Sequence, residues 1–376
     1  MKIVLLSPYH SGSHRAWAEG YVAHSAHEIQ LLTMQGRFWK WRMHGGAVTL
    51  ARQFLATGTK PDLILTDGML DLTTFMALTR HVTHDIPFAL YMHENQLTYP
   101  LPADPTTGAM RRNHNERDHH YVFINYSSLL VADQIIFNSH YHLESWFEAV
   151  PRYLRHYPDH READNIARTR AKSVVLPVGI NAVARSEKQS KEQPPLILWN
   201  QRWEYDKNPE AFFAVLARLR ERGIAFRLAI CGENFSRKPA IFEQAAVDFS
   251  AEIIHFGYAE RVIYDQLLAA ASVVVSTALH EFFGISIVEA ILHGAFPILP
   301  TRLSYPELIP RELHEHVFYA DVVQLDERLA NALTQPDLIR PIAGKIAQSA
   351  EKYTWPRLVE QYDTLMQRVA EPNLFV

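Results

Sequence analysis

The sequence predicts an α/β protein built from two Rossmann-like domains facing each other across a cleft, with the ligand held in that cleft. Three observations lead there. Short apolar runs alternate with amphipathic stretches along the whole chain, the pattern of parallel strands separated by helices. The 376 residues suffice for two domains, each with its own core. A charged, proline-terminated segment, residues 184–195 (ARSEKQSKEQPP), reads as a linker between a domain at 1–183 and a second at 195–350.

In the first domain the apolar runs place strands near 2–7, 28–34, 62–66, 87–92, 133–138 and 173–178, with helical patterns such as Tyr121–Ala132 and Ser139–Ala149 between them. Strand one is followed by Tyr9-His10-Ser11-Gly12-Ser13-His14. One glycine is far short of a G-x-G-x-x-G fingerprint, so the segment is either a serine-capped turn or a place where the Gly12 and Ser13 N–H groups touch a pyrophosphate. After strand two, Arg37-Phe38-Trp39-Lys40-Trp41-Arg42 interleaves cations with aromatics, as surfaces for single-stranded nucleic acid do. Arg111 and Arg112 lie in a second partly basic loop; both segments also fit ordinary solvated loops. After strand four, His93-Glu94-Asn95-Gln96 is poor core material and suits hydroxyl binding. No H-E-x-x-H is present there, so zinc is unsupported.

In the second domain strands are expected near 196–200, 226–231, 253–256, 272–277 and 296–300. The first leads into Arg202-Trp203-Glu204-Tyr205-Asp206-Lys207-Asn208-Pro209, where Asn208 as N-cap and Pro209 at the first helical position start a helix running to Arg222. Arg202 and Lys207 thus sit at the carboxyl end of a strand, where open α/β sheets bind ligands, and two cations there can hold a departing diphosphate. Surface pairing with Glu204 and Asp206 is the competing reading. The fourth strand leads into His280-Glu281-Phe282-Phe283-Gly284-Ile285-Ser286-Ile287-Val288-Glu289. Two carboxylates flank a strand-to-helix turn bent at Gly284, where the free N–H groups of the helix favour an anion. Ser286-x-x-Glu289 equally fits a capping box, with Ser286 as cap and Glu289 reaching back. Near the end, Lys352-Tyr353-Thr354-Trp355-Pro356 leads into an amphipathic helix capped by Thr354.

Composition narrows the class. Apolar residues make up 48% and charged residues 21%, a globular profile. A single cysteine, Cys231, excludes an internal disulfide, and neither a signal peptide nor a bilayer-length apolar run is visible, so a cytoplasmic protein with no membrane contact is expected. The net charge of −4 does not advertise a nucleic-acid binder, yet the first 200 residues carry 20 Lys and Arg against 18 Asp and Glu, the remainder 17 against 23. A polyanionic partner would meet the first half.

The blocks SGSH, FWKWR, HENQLTYP, FNSHYHLESW, NQRWEYDKNPE and HEFFGISIVEA together resemble the tRNA-queuosine α-mannosyltransferase family, a retaining group with the GT-B fold within glycosyltransferase family four. Glu281 and Glu289 match the E-x7-E signature shared across many glycosyltransferases, whereas HENQ and RWExDK are specific to this family. The resemblance implies mannose transfer from GDP-mannose to the cyclopentene diol of queuosine in the anticodon loop of tRNA-Asp, with no metal or other cofactor. It makes the first domain the tRNA side, with helix 355–370 packing back on it, and the second the donor side. By the same resemblance Arg202 and Lys207 bind the diphosphate and Glu289 the ribose. Glu281 and the backbone of Phe283, Gly284 and Ile285 hold the mannose, with His93 beside the reacting centre. Gly257 and Tyr258 edge the guanine, Gly12 and Ser13 meet the pyrophosphate, and Glu94, Asn95 and Gln96 meet the acceptor. Arg37, Trp39, Lys40, Trp41, Arg42, Arg111 and Arg112 contact tRNA. A different acceptor (a lipid or a small glycoside) and a non-catalytic tRNA-binding role are the alternatives; a dehydrogenase lacks its glycine fingerprint.

Overall fold

The computed structural model describes residues 1–100, 118–181, 193–232 and 240–371. They form two compact units, the first from 1–100, 118–181 and 353–371, the second from 193–232 and 240–352.

The first unit runs β1 (Lys2–His10), α1 (Gly12–His24), β2 (Glu28–Gln35), α2 (Trp39–Thr57), β3 (Leu63–Asp67), α3 (Leu72–Thr83) and β4 (Phe88–Met92). After the undescribed 101–117 come α4 (His119–Val131), β5 (Gln134–Phe137), α5 (His140–Leu154), α6 (Asp164–Ala171) and β6 (Ser173–Val175). The strands form one parallel sheet ordered β2-β1-β3-β4-β5-β6. Every residue of β3 and β4 is buried, which is why those runs read as continuous rather than alternating.

The second unit begins with β7 (Leu196–Asn200), α7 (Pro209–Glu221), β8 (Arg227–Cys231), α8 (Ile241–Asp248), β9 (Ile253–Gly257) and α9 (Arg261–Ala270). It continues with β10 (Val273–Val275), α10 (Ile285–Leu292), β11 (Phe296–Pro300), α11 (Tyr305–Leu308), α12 (His314–Val317), β12 (Phe318–Tyr319), α13 (Val322–Thr334) and α14 (Pro336–Ala350). Its parallel sheet is ordered β12-β11-β10-β7-β8-β9. Each sheet thus has a switch point, between β1 and β3 and between β7 and β10, where connections leave in opposite directions and open a crevice beyond the strand ends.

The last helix, α15 (Trp355–Ala370), belongs to the first unit. Thr354 stands at its N-cap position without making a side-chain cap bond. Ile180 and the chain before α15 exchange backbone bonds, Ile180 N donating to Tyr353 O and Trp355 N to Ile180 O, both at 2.9 Å. Trp355 is buried between two glycines of the first unit, Gly20 on α1 and Gly179. Asp363 accepts from Tyr21 Oη (2.9 Å), Ser25 Oγ (2.6 Å) and Ala26 N (2.9 Å), while Tyr362 Oη donates to Pro177 O at 2.7 Å. Among the described residues no helix is long and apolar enough to cross a membrane.

Candidate active site

In the second unit the expected donor residues follow β7 and β10, which flank the switch point, and β9 at the sheet edge. The β7 and β10 loops are stitched together. Leu279 N donates to Asp206 O (2.8 Å), and Thr277 Oγ1 donates to Lys207 O (2.8 Å) and Asn208 O (2.9 Å). Lys207 lies at the centre, 5% exposed; its Nζ donates to His280 O at 2.8 Å and sits 3.2 Å from Asp206 Oδ2 and 3.4 Å from Glu281 Oε2. The Lys207–Asp206 contact is therefore a buried ion pair rather than the surface pairing weighed from sequence. Burial works against the ammonium, but Glu281 and then Asp206 outweigh it and raise its pKa. Burial likewise opposes the Glu281 charge, and Lys207, followed by His280, overrides it and lowers that carboxyl. Arg202 stays partly exposed and approaches Glu204 at 3.4 Å.

The turn after Glu281 is not the capping box that Ser286 and Glu289 could have formed. Gly284, not Ser286, occupies the N-cap of α10, with φ of 99°, a conformation that disfavours any side chain. Ser286 already lies inside the helix, and Glu289 turns away from the helix start. Its Oε1 accepts from Arg261 Nη1 and its Oε2 from Tyr264 Oη, both at 3.1 Å. The Glu281 Oε1 accepts from Phe283 N at 3.4 Å, and Ser304 Oγ donates to Phe283 O at 3.0 Å, so the loop is fixed on both sides. No acidic residue occupies the first turn of α10, leaving the N–H groups of Ile285 and Ser286 to an anion. Gly257 ends β9 with φ of 117°, and Tyr258 beside it is exposed. Asn208 stands at the N-cap of α7 with Pro209 at the first helical position, as expected; its φ is 50° and its side chain makes no cap bond.

In the first unit Gly12 and Ser13 open α1, both exposed, with Ser11 at the N-cap and no acidic residue in the first turn. His93 is buried beyond β4, its ring 4.4 Å from His14, 4.7 Å from Tyr91 and 5.0 Å from Trp17. His14 in turn is 3.2 Å from Asp67 Oδ2, so the switch point between β1 and β3 carries a buried polar pair the sequence did not reveal. Burial first, then His14 and His142, hold the His93 pKa well below its ordinary value, and the ring is neutral. Its Nε2 has no hydrogen-bond partner among the described residues. Asn95 is used in part for local structure, while its Nδ2 has no hydrogen-bond partner among the described residues. It is fully buried, and its Oδ1 is spent on Leu97 N (3.1 Å), Thr98 N (2.8 Å) and Thr98 Oγ1 (3.1 Å), a local turn. Glu94 accepts from Gln96 Nε2 at 3.0 Å, and both are partly exposed.

The aromatic–basic segment forms the start of α2. Phe38 (72% exposed) and Trp41 (64%) project to solvent, Arg37 and Lys40 are exposed, and Trp39 is 36% exposed. Arg42 does not share this face. It lies on the inner stripe of α2 beside Met43, buried, and its Nε donates to Gln35 O at 3.0 Å. Arg111 and Arg112 lie outside the described residues. No group of three or more His, Cys, Asp or Glu that could hold a metal ion occurs among the described residues.

His280 makes the site pH-sensitive. Burial, then the Lys207 charge, lowers its pKa from 6.5 to about 4. An unfolded chain therefore takes up the His280 proton first, and between these two values the unfolded state holds more protons than the folded one. Stability from this group is complete above the unfolded pKa and drains away as pH falls towards the folded one, a change of about 3 kcal/mol. The gap between the urea midpoints at pH 7 and pH 5 should be narrower in His280→Gln than in the wild type. Equal divergence in the variant would show that His280 is not held neutral.

Two parallel sheets, each with a switch point, and in the second a buried lysine between carboxylates beside a helix N-terminus, describe a doubly wound α/β protein. Residues 182–350 match the family Glycosyl transferases group 1. The catalytic domain of starch synthase IV from Arabidopsis thaliana, bound to ADP and acarbose, has a similar fold (TM-score 0.74, 11% identity, 99% of each chain covered). So has sucrose-phosphate synthase from Thermosynechococcus elongatus (TM-score 0.71, 13% identity, 99% of this chain and 100% of that one). The fold is GT-B and the protein is a glycosyltransferase. Residues 2–180 match the tRNA-queuosine alpha-mannosyltransferase N-terminal family, and a Drosophila melanogaster tRNA-queuosine alpha-mannosyltransferase is 27% identical over 96% of this chain and 95% of its own. Across both halves the chain is thus similar to the tRNA-queuosine alpha-mannosyltransferases.

Proposed function

We propose that this enzyme moves mannose from GDP-mannose to a hydroxyl of the queuosine cyclopentene diol in the anticodon loop of tRNA-Asp, with retention of configuration. Lys207 and Glu281, 3.4 Å apart at the β7/β10 switch point, carry the donor half of this function. The bond from the sugar C1 to the diphosphate breaks as a bond forms from C1 to the acceptor oxygen, and the acceptor proton passes to the leaving phosphate. Lys207, Arg202 and the N–H groups opening α10 stabilise the charge that the diphosphate gains. Glu281 and the Phe283–Gly284–Ile285 backbone orient the sugar. The cationic side chains take the part a metal would otherwise play, so none is required.

The first unit is the acceptor side, supported by the match of residues 2–180 and by the Drosophila melanogaster relative. Phe38, Trp39 and Trp41 offer rings to unpaired bases, and Arg37 and Lys40 meet phosphates. Each stacked base contributes about 1–3 kcal/mol. The test is sugar transfer to queuosine-containing and queuosine-lacking tRNA-Asp side by side, read by nucleoside mass spectrometry, with and without EDTA. Transfer should occur only to the queuosine form and should persist in EDTA. Equal transfer to both tRNAs, or to a lipid in place of either, would overturn the acceptor; loss on chelation with rescue by Mg2+ would overturn the metal-free mechanism.

A further inference from the structure

The Glu289 carboxylate is held by more than its own helix. Tyr264 Oη donates to its Oε2 and Arg261 Nη1 to its Oε1, both at 3.1 Å. Both donors come from α9 and are themselves held. Asn200, the last residue of β7, donates from Nδ2 to Tyr264 Oη at 3.0 Å and to Ser286 O, in the first turn of α10, at 2.7 Å. Arg261 is gripped by Asp265, with Nη2 2.8 Å from Oδ1 and Nε 3.2 Å from Oδ2. A phenol has one hydrogen to give. With Asn200 donating to its oxygen, that hydrogen goes to Glu289, and burial followed by the Glu289 charge raises the Tyr264 pKa so that the phenol keeps it.

An ionised carboxylate has about four acceptor positions. Tyr264 and Arg261 fill one on each oxygen, which fixes the plane of the group and leaves acceptor capacity on both oxygens. Two vicinal hydroxyls on one face of a five-membered ring are the donors that fit such a pair. We propose that Tyr264 and Arg261 clamp Glu289 into a two-oxygen receptor for the ribose cis-diol of the donor nucleotide, so that the ribose 2′-hydroxyl becomes a required group. Tyr264, Arg261 and Asn200 are then positioning residues that act through Glu289. This rests on the reading of Glu289 as the ribose ligand.

The experiment compares equilibrium binding of GDP with 2′-deoxy-GDP, and of UDP with 2′-deoxy-UDP, so that the ribose term is read whichever base is preferred. The wild type should prefer the ribonucleotide by about tenfold, the scale of one net hydrogen bond to a charged group. In Tyr264→Phe the preference should shrink to about twofold while 2′-deoxynucleotide binding is unchanged, a split that mere loss of folding would not give. Arg261→Gln, at a partly exposed side chain, should move the preference the same way and decides the matter if Tyr264→Phe fails to fold. Wild-type preference in both folded variants would overturn the clamp with Glu289 left in place as a ribose ligand. Equal binding of ribo and deoxy forms by the wild type would overturn the Glu289 role, and the clamp with it. Absence of binding by all four nucleotides would overturn the donor site itself.

Discussion

Lys207→Ala is expected to lose both turnover and stability, whereas Arg202→Ala should lose turnover alone. The Lys207 ammonium lies between Asp206 and Glu281, and the Asp206 side chain is wholly buried. Removing it strands a buried carboxylate, a loss that costs about 3–5 kcal/mol. Arg202 is 42% exposed and sits 3.4 Å from a partly exposed Glu204, so its removal should shift stability by less than about 1 kcal/mol. On the proposed assignment each variant also loses a cation for the departing diphosphate, worth roughly a hundredfold or more in the chemical step. Urea midpoints and single-turnover rates at saturating donor separate the two effects. Lys207→Arg, which keeps the charge, controls for gross unfolding. Near-wild-type rates in both alanine variants would sink the assignment of these cations to the diphosphate.

Gly20→Ala and Gly179→Ala should each destabilise the first unit severely. A Cβ on Gly20 would fall 1.9 Å from Trp355 Nε1, and one on Gly179 would fall 2.3 Å from Trp355 Cδ2. The indole cannot retreat, because it is 1% exposed and packed on Tyr21 at 6.0 Å and Tyr362 at 5.2 Å between ring centres. Overpacking of this kind costs about 1–3 kcal/mol, and more where neither side yields. Gly344, inside α14 with open space around its Cβ position, is the contrast. Gly344→Ala should gain about 0.5–1 kcal/mol from helix propensity. Denaturant midpoints that place Gly20→Ala beside Gly344→Ala would show that Trp355 is not wedged as described.

The strand order of both sheets was not legible in the sequence, but the strands were, because β3, β4, β7 and β11 are wholly buried and read as unbroken apolar runs. The two-residue β12 left no periodicity to read. Glu281, Glu289, Arg202 and Lys207 were visible as motif positions. What the motif could not say is who their partners are. The contacts of Glu289 with Arg261 and Tyr264 join residues 28 and 25 positions apart and depend on how α9 lies against α10. Asparagine is hard to read for one reason: it serves left-handed backbone, as at Asn208, and local turns, as at Asn95, as readily as ligands. Arg42 misled because a helix rotates each residue by about 100°, so an alternation of cations and aromatics cannot all face one way.

The docking of α15 also fixes an order of events during synthesis. The second unit, through residue 352, has left the ribosome's catalytic centre before Trp355 is added. Until then α1 presents an empty slot lined by Gly20, and Trp17, Tyr21 and Tyr91 lack their cover from Tyr362. The half of the protein made first is therefore the half finished last. The first unit closes only once α15 has been made, and a nascent chain arrested at residue 352 would carry a finished second unit together with an N-terminal half still open to chaperones and proteases.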